Sequence, residues 1–164
     1  MTLDRLWAGW RSSYIEGVTS AEPKDGCVFC GILDAGLPDE ETYVLWRGRL
    51  TFAILNAYPY TSGHLMVMPL RHVGGLSDLT DDEADELFAA ARRGVAALEA
   101  AYRPQGVNLG ANLGEAAGAG VPGHLHLHAL PRWAGDTNFM TAVAEARVLP
   151  EPLATTWRKL KDAW

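Results

Sequence analysis

The chain predicts an α+β fold, an antiparallel β-sheet packed with helices, on three observations. Two β-rich runs, Thr42 to Trp46 and Leu50 to Leu55, are separated only by Arg47, Gly48 and Arg49, the signature of a hairpin. A third run, His64 to Pro69, follows a turn through Asn56, Pro59 and Gly63, extending the hairpin into an antiparallel meander. One long stretch of helical periodicity then lies beyond these strands instead of alternating with them.

The elements follow in order. The first 26 residues, with Trp7, Trp10, Arg11 and Tyr14, read as an arm laid against the body, the two large indoles favouring burial. A loop then delivers Cys27 and Cys30 ahead of the meander. Thr80 with Glu83 fits a capping box, and Ala84, Leu87, Phe88, Ala91, Val95 and Leu98 recur at helical spacing, predicting a helix over about 80–102 that lies across one sheet face. Gly106 to Gly110 makes another strand, and His124 to Leu130 a further one closed by Pro131, which suits a sheet edge or end. Ala146 to Leu149 reads as a short strand. Residues from about 151 to 164 form a helical tail beginning near Pro152, with Trp157, Leu160 and Trp164 on one face, packed on the same subunit or across a dimer. Neither a repeat nor an internal linker divides the 164 residues, so a single domain is expected.

Composition narrows the function. Hydrophobic residues make up 48% of the chain and charged residues 21%, a globular mixture. A net charge of -6 gathers no polyanions, which argues against long nucleic acids and leaves small anionic ligands open. No window approaches a membrane span and no leader pattern opens the chain, so a cytoplasmic setting without a membrane partner is the expectation.

The chemistry concentrates in His124, His126 and His128, three of only five histidines. On a strand, residues two apart share a face about 6.6 Å apart. Three imidazoles then line one side while Leu125, Leu127 and Ala129 anchor the other. A near-neutral imidazole attacks phosphorus, and a neighbouring ring donates to phosphate oxygens. The central ring, His126, is best placed as nucleophile and His128 as donor. The same pattern read blandly is a solvent-facing or metal-binding cluster. Gly118, Gly120 and other glycines before the run supply backbone that can cradle a phosphate or simply connect, and Asn112 adds an amide for a phosphoryl oxygen. Cys27 and Cys30 have the spacing of half a metal site, of a redox pair, or of two small buried residues.

With these residues in view, the chain resembles the histidine triad family of nucleotide hydrolases and transferases. The resemblance lies in His124 to Leu130, in Asn112 to Gly120 with Pro131 to Phe139, in Cys27 to Cys30, and in Asn56 and Gly63 to Leu65; it spans about residues 7 to 140 and is closest to the diadenosine tetraphosphate phosphorylase branch. It implies a histidine-triad fold, usually paired as a homodimer. It also implies a covalent nucleotidyl intermediate on His126, phosphate contacts and leaving-group assistance from His128, and an orienting role for His124. A dinucleoside polyphosphate would lose one nucleotide, and the retained AMP would pass to water or to inorganic phosphate as cosubstrate. Asn56 matches the position holding the ribose hydroxyls, while Phe52 and Leu55 resemble the apolar wall of the base; read from the residues alone, Phe52 fits the core and Asn56 a turn equally well. Many relatives place Gln with Ser or Thr where this chain has Gly120 and Val121, so the phosphate must be held here by Asn112 and backbone donors around Gly118. In zinc-containing relatives the ligands correspond to Cys27, Cys30, His72 and His124, a structural Zn2+ site. His64 is left to complete the bend or pack beneath the pocket.

Two other functions suit the same residues. A nucleoside phosphoramidate hydrolase would form the same intermediate after losing an amine, and a noncatalytic nucleotide-binding protein would keep the pocket without turnover.

Overall fold

The computed structural model describes residues 26–137 and 149–164. The expected arm, the strand at Ala146 to Leu149 but for its last residue, and Asn138 and Phe139 lie outside them. Within the described residues, a helix α1 (Val28–Asp34) and a single turn α2 (Asp39–Thr42) precede strands β1 (Val44–Arg47), β2 (Thr51–Leu55) and β3 (Leu65–Pro69). The long helix α3 (Asp81–Tyr102) leads to β4 (Gly106–Gly110), β5 (Leu127–Arg132) and the tail helix α4 (Leu153–Ala163). The strands form one antiparallel sheet in the order β1-β2-β3-β5-β4. Helix and antiparallel sheet together make the α+β fold expected.

The meander is as expected apart from its first strand. Thr42 closes α2 and Tyr43 turns with φ 59, so β1 starts two residues late. Thr42 is drawn into the turn by its own hydroxyl, which bonds back to the Pro38 carbonyl at 3.2 Å. The central strands β2 and β3 are buried at every position, which is why both read as unbroken apolar runs. Leu50 N, Thr51 N and Thr51 Oγ1 all donate to Glu86 Oε1 at 2.8 to 3.1 Å, tying the hairpin to α3.

The capping box forms as expected: Thr80 Oγ1 accepts from Glu83 N, and Thr80 N donates to Glu83 Oε2 at 2.9 Å. Arg71 then donates twice to the Glu83 carboxylate, at 2.9 and 2.7 Å, which together with Thr80 holds that carboxyl down to about 2. The helix face needs correction. Glu83, Leu87, Ala90, Ala91, Gly94, Ala97 and Leu98 are buried, whereas Ala84 is exposed and Phe88 is 59% exposed. Small residues win because the helix lies close on the sheet: a Cβ on Gly94 would sit 3.0 Å from Leu65 Cδ1.

The helix side of the sheet holds Leu55, Leu65, Val67, Leu125 and Ala129 against Leu87, Leu98 and Leu160. The tail packs on its own chain here. Trp157 donates to the Val44 carbonyl at 2.9 Å, Trp164 stacks on Trp46 at 6.0 Å, and Arg93 lies over both of those rings. The opposite side carries Phe52, Ile54, Met66 and Met68, with Phe29 of α1 upon them.

The histidine strand also needs correction. Its ladder starts at Leu127 and runs through Pro131 to Arg132, inside the sheet between β3 and β4, not at an edge. Proline fits there because β3 pairs β5 only from Leu127 to Ala129. Beside Pro131 lies the turn at Gly63, where φ is 87 and a Cβ would come within 2.9 Å of the proline ring.

Candidate active site

His128 pairs with Met66 across β3 and β5, which puts its ring on the Phe29 side of the sheet. His124 and His126 precede the ladder yet keep its alternation, because the chain here is held to the segment after β3. His124 Nε2 donates to the Pro69 carbonyl at 2.9 Å, and Leu125 N donates to the Val73 carbonyl at 2.6 Å. Leu125 and Ala129 consequently anchor the opposite face, as the spacing predicts. All three rings are buried, with His126 at 6% exposure and His128 at 8%.

The hydrogen bonds assign the tautomers. His126 Nδ1 lies 2.8 Å from the His124 carbonyl, which can only accept, so Nδ1 carries the proton and Nε2 the lone pair. Burial pushes the His126 imidazole below its ordinary range, partly offset by that hydrogen bond, and the neutral ring is the form that attacks.

A fourth histidine completes the group, and the sequence reading missed its role. Tyr60 N donates to His64 Nδ1 at 3.1 Å, and the Asn56 amide lies 3.4 Å from the same atom. That nitrogen is therefore an acceptor, and the proton sits on Nε2, 2.9 Å from His128 Nδ1. His64 donates, His128 Nδ1 accepts, and His128 Nε2 is left as the protonated edge. The rings of His126 and His128 meet edge to face at 4.8 Å. The signal available was the Gly63-His64 turn at the start of a buried strand, but nothing in the spacing pairs residue 64 with residue 128.

The remaining candidates divide. Asn56 sits beside His64 and closes a turn by accepting from Tyr58 N at 2.9 Å. Phe52 belongs to the histidine side of the sheet but is fully buried, so it forms the floor and offers no surface to a base. Leu55 is corrected outright: three residues from Phe52 on one strand, it points to the helix side, away from the histidines. Val121 packs against the Phe29 cluster, and Gly120 adjoins it in the chain. Asn112 lies two residues past Gly110, the partner of His128, and its amide donates to the Gly118 carbonyl at 3.4 Å. The N–H groups of Ala117, Gly118 and Ala119 all bond inside this loop, to Gly114 or Glu115. The phosphate cradle expected around Gly118 is thus not made by those three donors.

Cys27, Cys30, His72 and His124 come together, their ligand atoms within 4.8 Å of one another. His124 Nδ1 is 3.4 Å from Cys27 Sγ and 3.6 Å from Cys30 Sγ, and His72 Nδ1 is 3.5 Å from Cys30 Sγ. Tetrahedral coordination with zinc-type bond lengths separates sulfur and nitrogen ligands by about 3.6 Å. The donor set and its spacing therefore fit a metal ion. His124 donates from Nε2 to a carbonyl, which turns the Nδ1 lone pair toward the thiols, the usual outer-shell arrangement for a ligating histidine. Burial and the neighbouring Cys27 push the Cys30 thiol up, a tendency that a bound cation reverses.

The family model described as HIT domain matches residues 38–135. A Mycobacterium tuberculosis protein named AP-4-A phosphorylase is 42% identical over 99% of this chain and 85% of its own length. A Schizosaccharomyces pombe bis(5'-nucleosyl)-tetraphosphatase (asymmetrical) is 37% identical over 57% of this chain and 50% of that protein. Among solved structures, a Zn-bound histidine triad family protein from Mycobacterium smegmatis superposes with a TM-score of 0.69 at 27% identity, over 84% of this chain and 92% of that one.

Proposed function

The chain belongs to the histidine triad (HIT) family, and on that premise we propose that it is a nucleotidyl transferase acting on dinucleoside polyphosphates through a nucleotidyl-His126 intermediate. One observation carries the reading: His126 Nδ1–H is committed to the His124 carbonyl, which leaves the Nε2 lone pair out of that bond on a ring whose centroid lies 4.8 Å from that of His128.

In the first displacement His126 Nε2 attacks the α-phosphorus. An N–P bond forms, the P–O bond to the leaving nucleotide breaks, and His128 Nε2–H hydrogen-bonds the departing oxygen. In the second, water or inorganic phosphate attacks the same phosphorus and the N–P bond breaks. His128 Nε2–H is the donor that would meet charge developing on the phosphoryl oxygens. The names of the relatives support a tetraphosphate substrate and phosphate as acceptor. Diadenosine tetraphosphate with phosphate should yield ATP and ADP, and without it ATP and AMP. Product analysis with and without phosphate decides this: ADP that appears only with phosphate supports phosphorolysis. Turnover confined to an adenosine phosphoramidate would replace the reading.

We also assign structural zinc to Cys27, Cys30, His72 and His124, where it would fix His124 and the strand entering the nucleophile. The Zn-bound relative supports it. The expected homodimer is supported by β4, an edge strand with Leu109 44% exposed, which a second copy would cover. Native mass spectrometry should find two chains with two zinc ions; a single chain, or chains without metal, would remove the corresponding assignment. Among the described residues no helix is long and apolar enough to cross a membrane. A cytoplasmic location remains part of the proposal, resting on the composition described above.

A further inference from the structure

Cys27 and Cys30, the two cysteines of the candidate metal site, cap and open the helix α1. Phe29 stands between them in sequence, and it is the buried residue of α1, 7% exposed, whereas Val28 is 51% exposed. Its ring lies 5.5 Å from the His124 ring at 82° and 5.5 Å from the His126 ring at 60°, meeting both edge-on. One side chain therefore touches a candidate metal ligand and the candidate nucleophile together.

The His126 ring needs such a wall. Among the described residues its polar anchor is the hydrogen bond from Nδ1 to a carbonyl two residues back, which sets the tautomer but tolerates a swing of the ring about that bond. His128 meets it from one side at 4.8 Å, and Phe29 limits it from another. Phe29 in turn is carried by a helix of seven residues with no side-chain cap. An isolated helix that short does not hold itself. Phe29, Ile32 and Leu33 pack the helix on the sheet, and the tetrad pins its first turn, since Cys27 and Cys30 reach His124 and His72.

We propose that Phe29 is a positioning residue that couples occupancy of the Cys27-Cys30-His72-His124 metal site to the orientation of the His126 ring. The proposal rests on the functional reading above for the importance of His126, but the coupling itself is measurable without nucleotide. Metal pins the first turn of α1, that turn seats Phe29, and Phe29 holds His126 with Nε2 facing the substrate side.

The test follows exchange of the His126 Nδ1 proton with water by NMR in zinc-loaded, nucleotide-free protein at one pH. Phe29→Ala should accelerate that exchange by at least about tenfold, the mark of local opening. Phe29→Leu, which keeps apolar volume, should accelerate it less. Chelation should accelerate it in the parent protein and add nothing further in Phe29→Ala. Cobalt(II) loaded in place of zinc should show by its visible absorption that the cage survives in both variants. Single-turnover labelling by nucleotide should slow by roughly 10–100-fold in Phe29→Ala, as expected for a displaced reacting group. Unchanged proton exchange in both variants overturns the proposal. So does an equal effect of chelation with and without Phe29, which would route the coupling through the His124 backbone. Loss of metal from Phe29→Leu as well would make Phe29 part of the cage and also overturn it. Absence of label on His126 in the parent protein would instead refute the nucleophile assignment and leave the proton-exchange result standing.

Discussion

Replacing His126 by glycine should lower turnover of diadenosine tetraphosphate on the order of 10^4–10^6-fold, as removal of other enzyme nucleophiles does. The imidazole is a buried ring whose removal leaves the β5 ladder intact, since that ladder begins at Leu127. The variant should therefore still fold and bind nucleotide. Labelled AMP should be recovered on the parent protein after acid-free quenching and denaturation, and not on His126→Gly. Turnover within tenfold of the parent would end the nucleophile assignment, and label persisting on the variant would move it to another residue.

His64→Phe should produce the second-largest loss. The ring replaces an imidazole of similar size at a site that is 1% exposed, so the strand should pack, but the donor to His128 Nδ1 disappears. His128 is then free to hold its proton on Nδ1, turning an acceptor toward the leaving oxygen where a donor is needed. A wrong tautomer at a catalytic imidazole costs about 10^4 in serine proteases; a loss of roughly 10^2–10^4-fold in kcat is expected here, with KM changed far less. The informative comparison uses a substrate with a better leaving group, which needs less protonation and should recover much of the loss. Equal losses on both substrates would mean that His64 only supports packing.

Much of this site was written in local patterns. Alternation in residues 124–129 sorts three imidazoles from Leu125, Leu127 and Ala129, and the sheet keeps that sorting although only His128 lies in the ladder. Thr80 and Glu83 announced the start of α3 because a capping box is a contact within four residues. Leu55 was legible too: three positions from Phe52 on a strand, it had to face the other way. Phe88 was not. Its spacing fits the helix stripe, and its exposure follows from how closely the helix approaches the sheet, which depends on Gly94 meeting Leu65. Pro131 argued for a sheet edge or end by its missing donor; the strand is an inner one, and Pro131 lies beyond the end of its pairing with β3.

The sequence by itself determined the α+β class, the hairpin and meander, the capped helix, and the face on which the histidines lie, because each depends on neighbours within a few positions. Tertiary structure alone decided that His64 serves His128 across 64 residues and that Phe29 meets His126; it also brings together Cys27, Cys30, His72 and His124, a set that the sequence offered only through its resemblance to the family. Those contacts arise from strand order and register, which bring β3 beside β5, and from the packing of Phe29 of α1 over β2, β3 and the segment leading into β5. Periodicity states which side of a strand a residue occupies; it carries no information about which distant strand will lie alongside.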